Sequence, residues 1–113
     1  MAKYMLLLGG AEKSPTPDYT EVMAKYVAWG AMLRERGHFV ATNKLFNAAP
    51  AHAAKLTWQN GRVVDGPFVE SKETLGGYYV IEAKSLEEAI AIARECPTVA
   101  VQKGFVEVRA IEI

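Results

Sequence analysis

Two fixed chain reversals in the middle of the sequence limit the folds that this chain can adopt. Asn60-Gly61 stands between two short strand-like runs, residues 55–59 and 62–64. Asn-Gly is the strongest local signal for a two-residue β-hairpin, because both turn positions require a positive φ. Asp65-Gly66-Pro67 follows at once, and the proline ring fixes the backbone of a second turn. The sequence therefore predicts a hairpin that leads directly into a constrained loop.

The remaining segments alternate between strand-like and helix-like patterns. Residues 3–8 are almost continuously apolar, which is typical of a central strand. Thr16-Pro17 can cap and begin a helix that Gly37 ends, and Ser85 opens a capping-box pattern for a second helix that ends at Cys96-Pro97. Further strands are predicted over residues 38–45, 78–83 and 105–113.

The order of these elements is strand, helix, strand, hairpin, strand, helix, strand. This is the split βαβ plan of a ferredoxin-like α+β domain with an added hairpin. A chain of 113 residues makes one domain, so we expect residues 1–113 to fold as a unit.

The last predicted strand indicates that one chain does not complete the structure. Two helices cover only one face of the sheet, yet residues 105–113 carry apolar side chains on both faces. A second subunit that packs sheet against sheet about a twofold axis would cover the other face. We therefore expect a homodimer with a ligand cavity between the sheet and a helix or between the subunits.

Composition excludes several classes of partner. Thirteen basic residues balance thirteen acidic ones, so the positive field that attracts nucleic acid or an anionic membrane is absent. The apolar run at residues 4–8 is too short to span a membrane. Cys96 is the single cysteine, which suits a reducing cytoplasm. We expect it to be a small buried thiol, with a nucleophile as the alternative.

Residues 65–83 resemble the signature of the DGPF branch of the YCII-related family. They read Asp-Gly-Pro-Phe-Val-Glu-Ser-Lys-Glu-Thr-Leu-Gly-Gly-Tyr-Tyr-Val-Ile-Glu-Ala, and the resemblance extends from Lys3 to Arg109. Proteins of this family are small and bacterial. The resemblance implies a ferredoxin-like split βαβ sandwich that forms a dimeric α+β barrel.

The acidic residues of this segment are the candidate catalytic groups. The Asp65 carboxylate can accept hydrogen bonds from the amides of its own turn, or it can be held at the rim of a pocket as a base. Glu70 stands nearby and is the second candidate. Lys72 lies among carboxylates that favour its charged form, so we expect it to bind an anion if this run is not simply a solvated loop. Gly76-Gly77 predicts a tight approach of another backbone or a ligand at the start of a strand.

Tyr26 stands on the first helix at or near the position where other branches of the family have a histidine. In other branches of the family a histidine on the first helix, together with an acidic residue, is regarded as a possible catalytic pair. A phenol with a pKa near 10 is a poor general base at neutral pH. We therefore expect Tyr26 to bind a ligand through a hydrogen bond or its ring.

The other candidate ligand-binding residues are dispersed along the chain. His52 precedes the hairpin and Tyr78 begins a strand, while Arg109 shares a strand face with Glu107. Arg109 would bind an anion together with Lys72 or pair with Glu107. Trp58 is expected in the core, at a dimer contact or along a cavity.

No pattern in the sequence predicts a bound metal or cofactor. The two histidines match no metal-binding spacing, and neither glycine-rich nucleotide motif is present.

Two functions from different classes remain open. The first is an enzyme that performs proton transfer or elimination on a small polar or aromatic molecule, in line with a dehydrochlorinase-like relative. The second is a noncatalytic ligand-binding or regulatory module, since the resemblance also implies an association with extracytoplasmic-function sigma factors.

Overall fold

The computed structural model describes residues 1–10, 19–45, 52–65 and 75–112. The elements in chain order are β1 Ala2–Gly9, α1 Tyr19–Glu35, β2 Phe39–Lys44, β3 Leu56–Gln59, β4 Arg62–Asp65, β5 Leu75–Ala83, α2 Leu86–Arg94, α3 Pro97–Ala100 and β6 Phe105–Ala110. The predicted Thr16-Pro17 helix start, Glu70 and Lys72 lie outside the described residues.

Four strands form an antiparallel sheet in the order β2-β5-β1-β6. The prediction that β1 is central is confirmed, because β1 pairs with β5 on one side and with β6 on the other. This order is that of the split βαβ plan, so the mixed α+β class is also confirmed. Within the described part of the single chain the sheet is open and closes into no barrel.

The core lies between one face of this sheet and the helices. Tyr4, Leu6 and Leu8 alternate along β1 and are buried, which is the period of two that a strand with one covered face requires. Leu33 of α1 and Ile81 of β5 are fully enclosed with them. Burying each large aliphatic side chain contributes about 1.5–3 kcal/mol, so this layer fixes how the helices lie on the sheet.

The other face of the sheet has no layer over it among the described residues. The molecule measures 20 Å in its thinnest direction, which corresponds to two layers of about 10 Å each. We call the uncovered surface the open face. It carries the alternate residues of each strand, among them Met5 and Leu7 of β1 and Val80 of β5.

The β3–β4 hairpin forms a separate two-stranded sheet. Its turn is at Asn60-Gly61, as predicted, and these residues have φ angles of 50° and 78°. The register then pairs Trp58 with Val63 and Leu56 with Asp65.

Local capping signals placed the helix ends correctly. Gly37 has φ +76° and ends α1 in a Schellman motif, in which the His38 amide donates to the Leu33 carbonyl at 2.8 Å and the Gly37 amide donates to the Arg34 carbonyl at 3.1 Å. Ser85 accepts a hydrogen bond from the Glu88 amide at 3.1 Å at the start of α2.

Three details of the predicted elements were wrong. The final strand ends at Ala110 and not at Ile113, and a short helix, α3, follows Cys96 where the sequence predicted only a helix end. β5 begins at Leu75, so Gly76 and Gly77 lie inside the strand and not ahead of it. The neighbouring strand β1 explains the last difference, because its Gly9 pairs with Leu75.

Gly77 is required by the close approach of β2. A Cβ atom at this position would lie 3.0 Å from the main-chain oxygen of Asn43, whereas a Cβ atom at Gly76 would lie 3.9 Å from that of Leu8. The predicted backbone approach at this glycine pair is therefore confirmed, and it involves Gly77.

We expect Gly77→Ala to destabilise the fold and Gly76→Ala to serve as its matched control. The added methyl group at Gly77 would push β2 away from β5 and lower the free energy of unfolding by about 1–3 kcal/mol. The same group at Gly76 makes an ordinary contact and should change it by less than about 1 kcal/mol. Urea unfolding of both variants measures the difference, and equal values would contradict the steric explanation.

Candidate functional site

The open face presents an apolar strip at the centre of the sheet. Leu7 stands opposite Tyr78, and Met5 stands opposite Val80. These four side chains point away from the helices, because their neighbours along each strand, such as Leu6 and Ile81, are the buried ones. We call this set, Met5, Leu7, Tyr78 and Val80, the apolar strip.

Tyr78 places a hydroxyl group at one side of this strip. The Asn43 side-chain amide on β2 donates a hydrogen bond of 2.7 Å to the Tyr78 hydroxyl oxygen. This oxygen therefore serves as an acceptor, and the hydroxyl hydrogen remains able to donate. No acceptor for that hydrogen occurs within the parts of the chain that the structure describes. The pair can thus offer a directed donor to a molecule lying on the strip.

Charged groups border the strip along β6 and at the far end of β1. Glu107 stands opposite Leu7, and Arg109 stands opposite Met5. Arg109 Nη1 lies 3.6 Å from Glu107 Oε2, so the predicted pairing of these two side chains is confirmed. Lys3 stands opposite Glu82. Because both members of the Arg109–Glu107 pair are exposed, we assign it little stabilising energy.

A second polar cluster lies on the helix side of the sheet, around Tyr26. The Tyr26 hydroxyl donates to Gln102 Oε1 at 2.7 Å and makes a short hydrogen bond with the buried Thr98 hydroxyl. Tyr26 therefore links α1 to α3 and to the turn that follows it. This hydroxyl is already engaged within the protein.

Burial keeps the ionisable groups of this cluster protonated. Desolvation raises the pKa of Tyr26, and the hydrogen bond with Thr98 lowers it by a smaller amount. Desolvation likewise raises the pKa of Tyr79 and of the fully buried Cys96 thiol. A nucleophile or general base needs the opposite shift or a matched pKa.

Trp29 adds an unsatisfied donor to the same layer. Its indole Nε1 is buried and has no hydrogen-bond partner in the described residues, while its ring packs edge-on against Tyr79 at 4.7 Å and 67°. The favourable ring contact offsets part of the cost of the unpaired N–H group.

An open apolar groove of about 230 Å³ lies on the helix side, where β6 meets α2 and α3. Its lining residues are Ile90, Ala93, Arg94, Val99, Val106 and Val108. Arg94 is the only ionisable side chain among these six, so the groove offers contact area but no acid–base pair.

Comparison with known sequences places the chain in a family. The sequence profile of the YCII-related domain matches residues 2–112. The chain belongs to the YCII-related family.

The chain is also similar to a bacterial protein. The YCII-related protein is 32% identical over 96 residues to an uncharacterized protein of Rhizobium meliloti (strain 1021), and the alignment covers 85% of this chain and 72% of the relative.

The structure divides the predicted site residues between different surfaces. Tyr78 and Arg109 share the open face, whereas Tyr26 lies on the opposite side of the sheet. His52 is exposed in a turn ahead of β3, and Asp65 is exposed at the end of β4. Within the described residues of a single chain, the expected set therefore forms no single cluster.

The site also contains residues that the sequence reasoning missed. Asn43 orients Tyr78, and Met5 and Leu7 supply the apolar surface beside it. Alternation along β1 could have indicated Met5 and Leu7, because it places them on the face of the sheet that points away from the core. No local signal pointed to Asn43, since its contact with Tyr78 depends on the register between β2 and β5.

Metal binding and membrane insertion have no structural support in the described residues. No group of three or more His, Cys, Asp or Glu side chains among residues 1–10, 19–45, 52–65 and 75–112 lies close enough to hold a metal ion. None of the helices over the same ranges combines the length and the apolar character needed to cross a membrane.

We expect the YCII-related protein to lose stability as the pH rises above about 9. The ordinary pKa values of Cys96 and Tyr26 are 9.0 and 10.0, and burial raises both in the folded state. The folded state thus holds protons that the unfolded state releases, so the free energy of unfolding falls with increasing pH. Urea midpoints from pH 8 to pH 11 measure this loss.

The substitution Tyr26→Phe measures how much the Tyr26 hydroxyl contributes to this loss of stability at high pH. In Tyr26→Phe the fall above pH 10 should be shallower than in the wild type, although stability at neutral pH is lower because two hydrogen bonds are lost. If the free energy of unfolding falls equally steeply with pH in both proteins, the loss of stability does not come from Tyr26.

Proposed function

We propose that this YCII-related protein is a homodimer that binds a small organic molecule on the open face of its sheet and acts as a noncatalytic binding or regulatory module. The observation that carries the proposal is the apolar strip, which is half-buried and lies on the face of the sheet away from the helices, beside a hydroxyl donor and a border of charged groups. Accessible apolar surface with a polar rim is the usual mark of a binding site.

The dimer supplies the missing third layer. Two open faces turned toward one another about a twofold axis bury both apolar strips with one self-complementary contact. The arrangement is that of a dimeric α+β barrel, in which each sheet forms one wall. The space between the walls is then enclosed, and a bound molecule is removed from bulk water.

The residues of the open face favour a ligand that combines an apolar body with an anionic or hydrogen-bonding group. Met5, Leu7 and Val80 provide contact for an aromatic ring or a short aliphatic chain. Tyr78 offers a donated hydrogen bond, and Arg109 offers a cation that suits a carboxylate. A small aromatic or aliphatic acid satisfies both requirements.

The state of the buried ionisable groups argues against catalysis by Tyr26 or Cys96. Tyr26 and Cys96 have raised pKa values because they are buried, and Tyr26 is held by hydrogen bonds inside the protein. Neither is available as a base or a nucleophile. The lone reduced thiol also suits a cytoplasmic protein.

Proton transfer or elimination by Asp65 is the second candidate. The observation in its favour is the exposure of Asp65, which leaves its carboxylate open to a substrate. Glu70 and Lys72 follow it in sequence as a possible acid–base partner and a possible anion anchor, and His52 precedes the same hairpin.

We expect Leu7→Lys to separate the dimer into folded monomers. The substitution places an ammonium opposite Glu107 in each half of the contact, and the desolvation of these charges should raise the dimer dissociation constant more than about 100-fold. Val27→Lys is the matched control, because Val27 is exposed on α1. Light scattering after gel filtration reports the masses. Equal masses for both variants and the wild type would contradict a dimer through the open face.

A panel of small aromatic and aliphatic acids tests the function itself. A compound that binds the folded state raises the melting temperature. In Tyr78→Phe the apparent dissociation constant for that compound should be about tenfold higher, because one hydrogen bond is lost. Recovery of the compound unchanged supports a binding module. Conversion that is lost in Asp65→Asn, with the melting temperature of the variant unchanged, would instead support the enzyme.

A further inference from the structure

The hairpin carries its own uncovered apolar face. Alternation along β3 and β4 puts Leu56, Trp58, Val63 and Asp65 on one side of the two-stranded sheet. Leu56 and Trp58 are each 69% exposed and Val63 is 62% exposed. We call this surface the arm face. The opposite side of the hairpin carries Thr57, Gln59, Arg62 and Val64.

A hairpin of this kind needs a partner surface. An isolated two-stranded sheet is at best marginally stable in water, and a tryptophan flanked by two aliphatic side chains is costly to leave in solvent. The exposures of Leu56, Trp58 and Val63 show that this chain's own sheet does not cover the arm face. None of the other residues that the structure describes covers it, and a surface on another molecule would do so.

The open face of a second copy of the chain has the matching properties. It carries the apolar strip of half-buried side chains on the side of the sheet away from the helices. In a twofold dimer each arm lies on the partner's sheet at the margin of the sheet-to-sheet contact, so both arm faces are buried symmetrically.

Charge also matches between these two surfaces. Asp65 gives the arm face a carboxylate, and the open face carries Lys3, which has no ion pair within the described residues, and Arg109, whose guanidinium reaches Glu107 at 3.6 Å. The chain as a whole has equal numbers of acidic and basic residues. Contact between copies of the chain therefore meets no net repulsion.

We propose that the hairpin of each protomer packs against the open face of its partner, beside the sheet-to-sheet contact. Asp65 then reaches the ligand site of the neighbouring subunit and stands near its cationic border. The site is thus composite, with the apolar strip and Tyr78 from one chain and the carboxylate from the other. This arrangement rests on the proposed homodimer and specifies how its site is completed.

A site composed of residues from both subunits would select a particular kind of ligand. A carboxylate contributed across the interface, together with a cation already on the sheet, favours a ligand that presents both an acceptor and a donor, such as a hydroxylated or amino-substituted acid. A monomer would retain the apolar strip but lack the acidic half of the site.

Cross-linking between different chains tests the exchange. In a Cys96→Ala background, one protein carries Val63→Cys on the arm face and another carries Lys3→Cys on the open face. When the two are mixed, a short bismaleimide should join them in high yield as a heterodimer. Gln59→Cys replaces Val63→Cys in the matched control, and since Gln59 lies on the other side of the hairpin its yield should be several-fold lower.

The outcomes separate this inference from the dimer itself. If light scattering gives a dimer but Val63→Cys joins Lys3→Cys no better than Gln59→Cys does, the arm exchange is overturned and the dimer stands. If a single chain carrying both cysteines is cross-linked internally and not between chains, the exchange is likewise overturned. A monomer at all concentrations would remove both proposals.

Trp58 provides a measurement that needs no introduced thiol. Trp29 is buried in each chain, so acrylamide quenching reports mainly on Trp58. Quenching should fall as the dimer forms, and Trp58→Ala should raise the dimer dissociation constant about 30-fold or more. Gln59→Ala should leave that constant unchanged. Full quenching of Trp58 in a confirmed dimer would overturn the exchange.

Discussion

The structure depends on an imbalance between its sheet and its helices. Four antiparallel strands offer two faces, and the helices of the described chain pack on one of them. Hydrophobic burial on that side involves Leu6, Leu33 and Ile81 and gives the fold its stable core. The same alternation that points these side chains inward points Met5 and Leu7 outward. A chain with this pattern has a stable core on one face of its sheet, while apolar side chains on the other face have no layer of described residues over them.

The imbalance also separates the two groups of polar residues. Around Tyr26, on the covered side, burial raises pKa values and the hydroxyl group is tied to its neighbours. Around Tyr78, on the open side, the hydroxyl is oriented by Asn43 and faces outward. The covered cluster therefore fastens α3 to α1, and the open one is able to contact a ligand. Binding energy in such a site comes first from apolar contact, and the polar border sets the specificity.

Sequence reasoning succeeded where a few neighbouring residues decide the structure. The Asn60-Gly61 turn and the Gly37 helix end depend on local backbone angles, which is why they were predictable. It failed where distant strands decide: β5 begins ahead of Gly76 because Gly9 of β1 pairs with Leu75 there. The division of Tyr26, Tyr78 and Arg109 between the two faces of the sheet depends on the same kind of pairing. Alternation along a strand and the register between strands decide which face of the sheet each side chain occupies. The register is set only when the strands pair in the assembled sheet.

Methionine methyl groups report whether the open face is covered in solution. Met5 lies on the apolar strip, whereas Met23 is 55% exposed on α1. With methyl-labelled methionine and a soluble paramagnetic agent, the Met5 signal should be protected and the Met23 signal should be broadened, and the protection of Met5 should decline on dilution as dimers dissociate. A Met5 methyl group as accessible as that of Met23 at high protein concentration would show that no second subunit covers the open face.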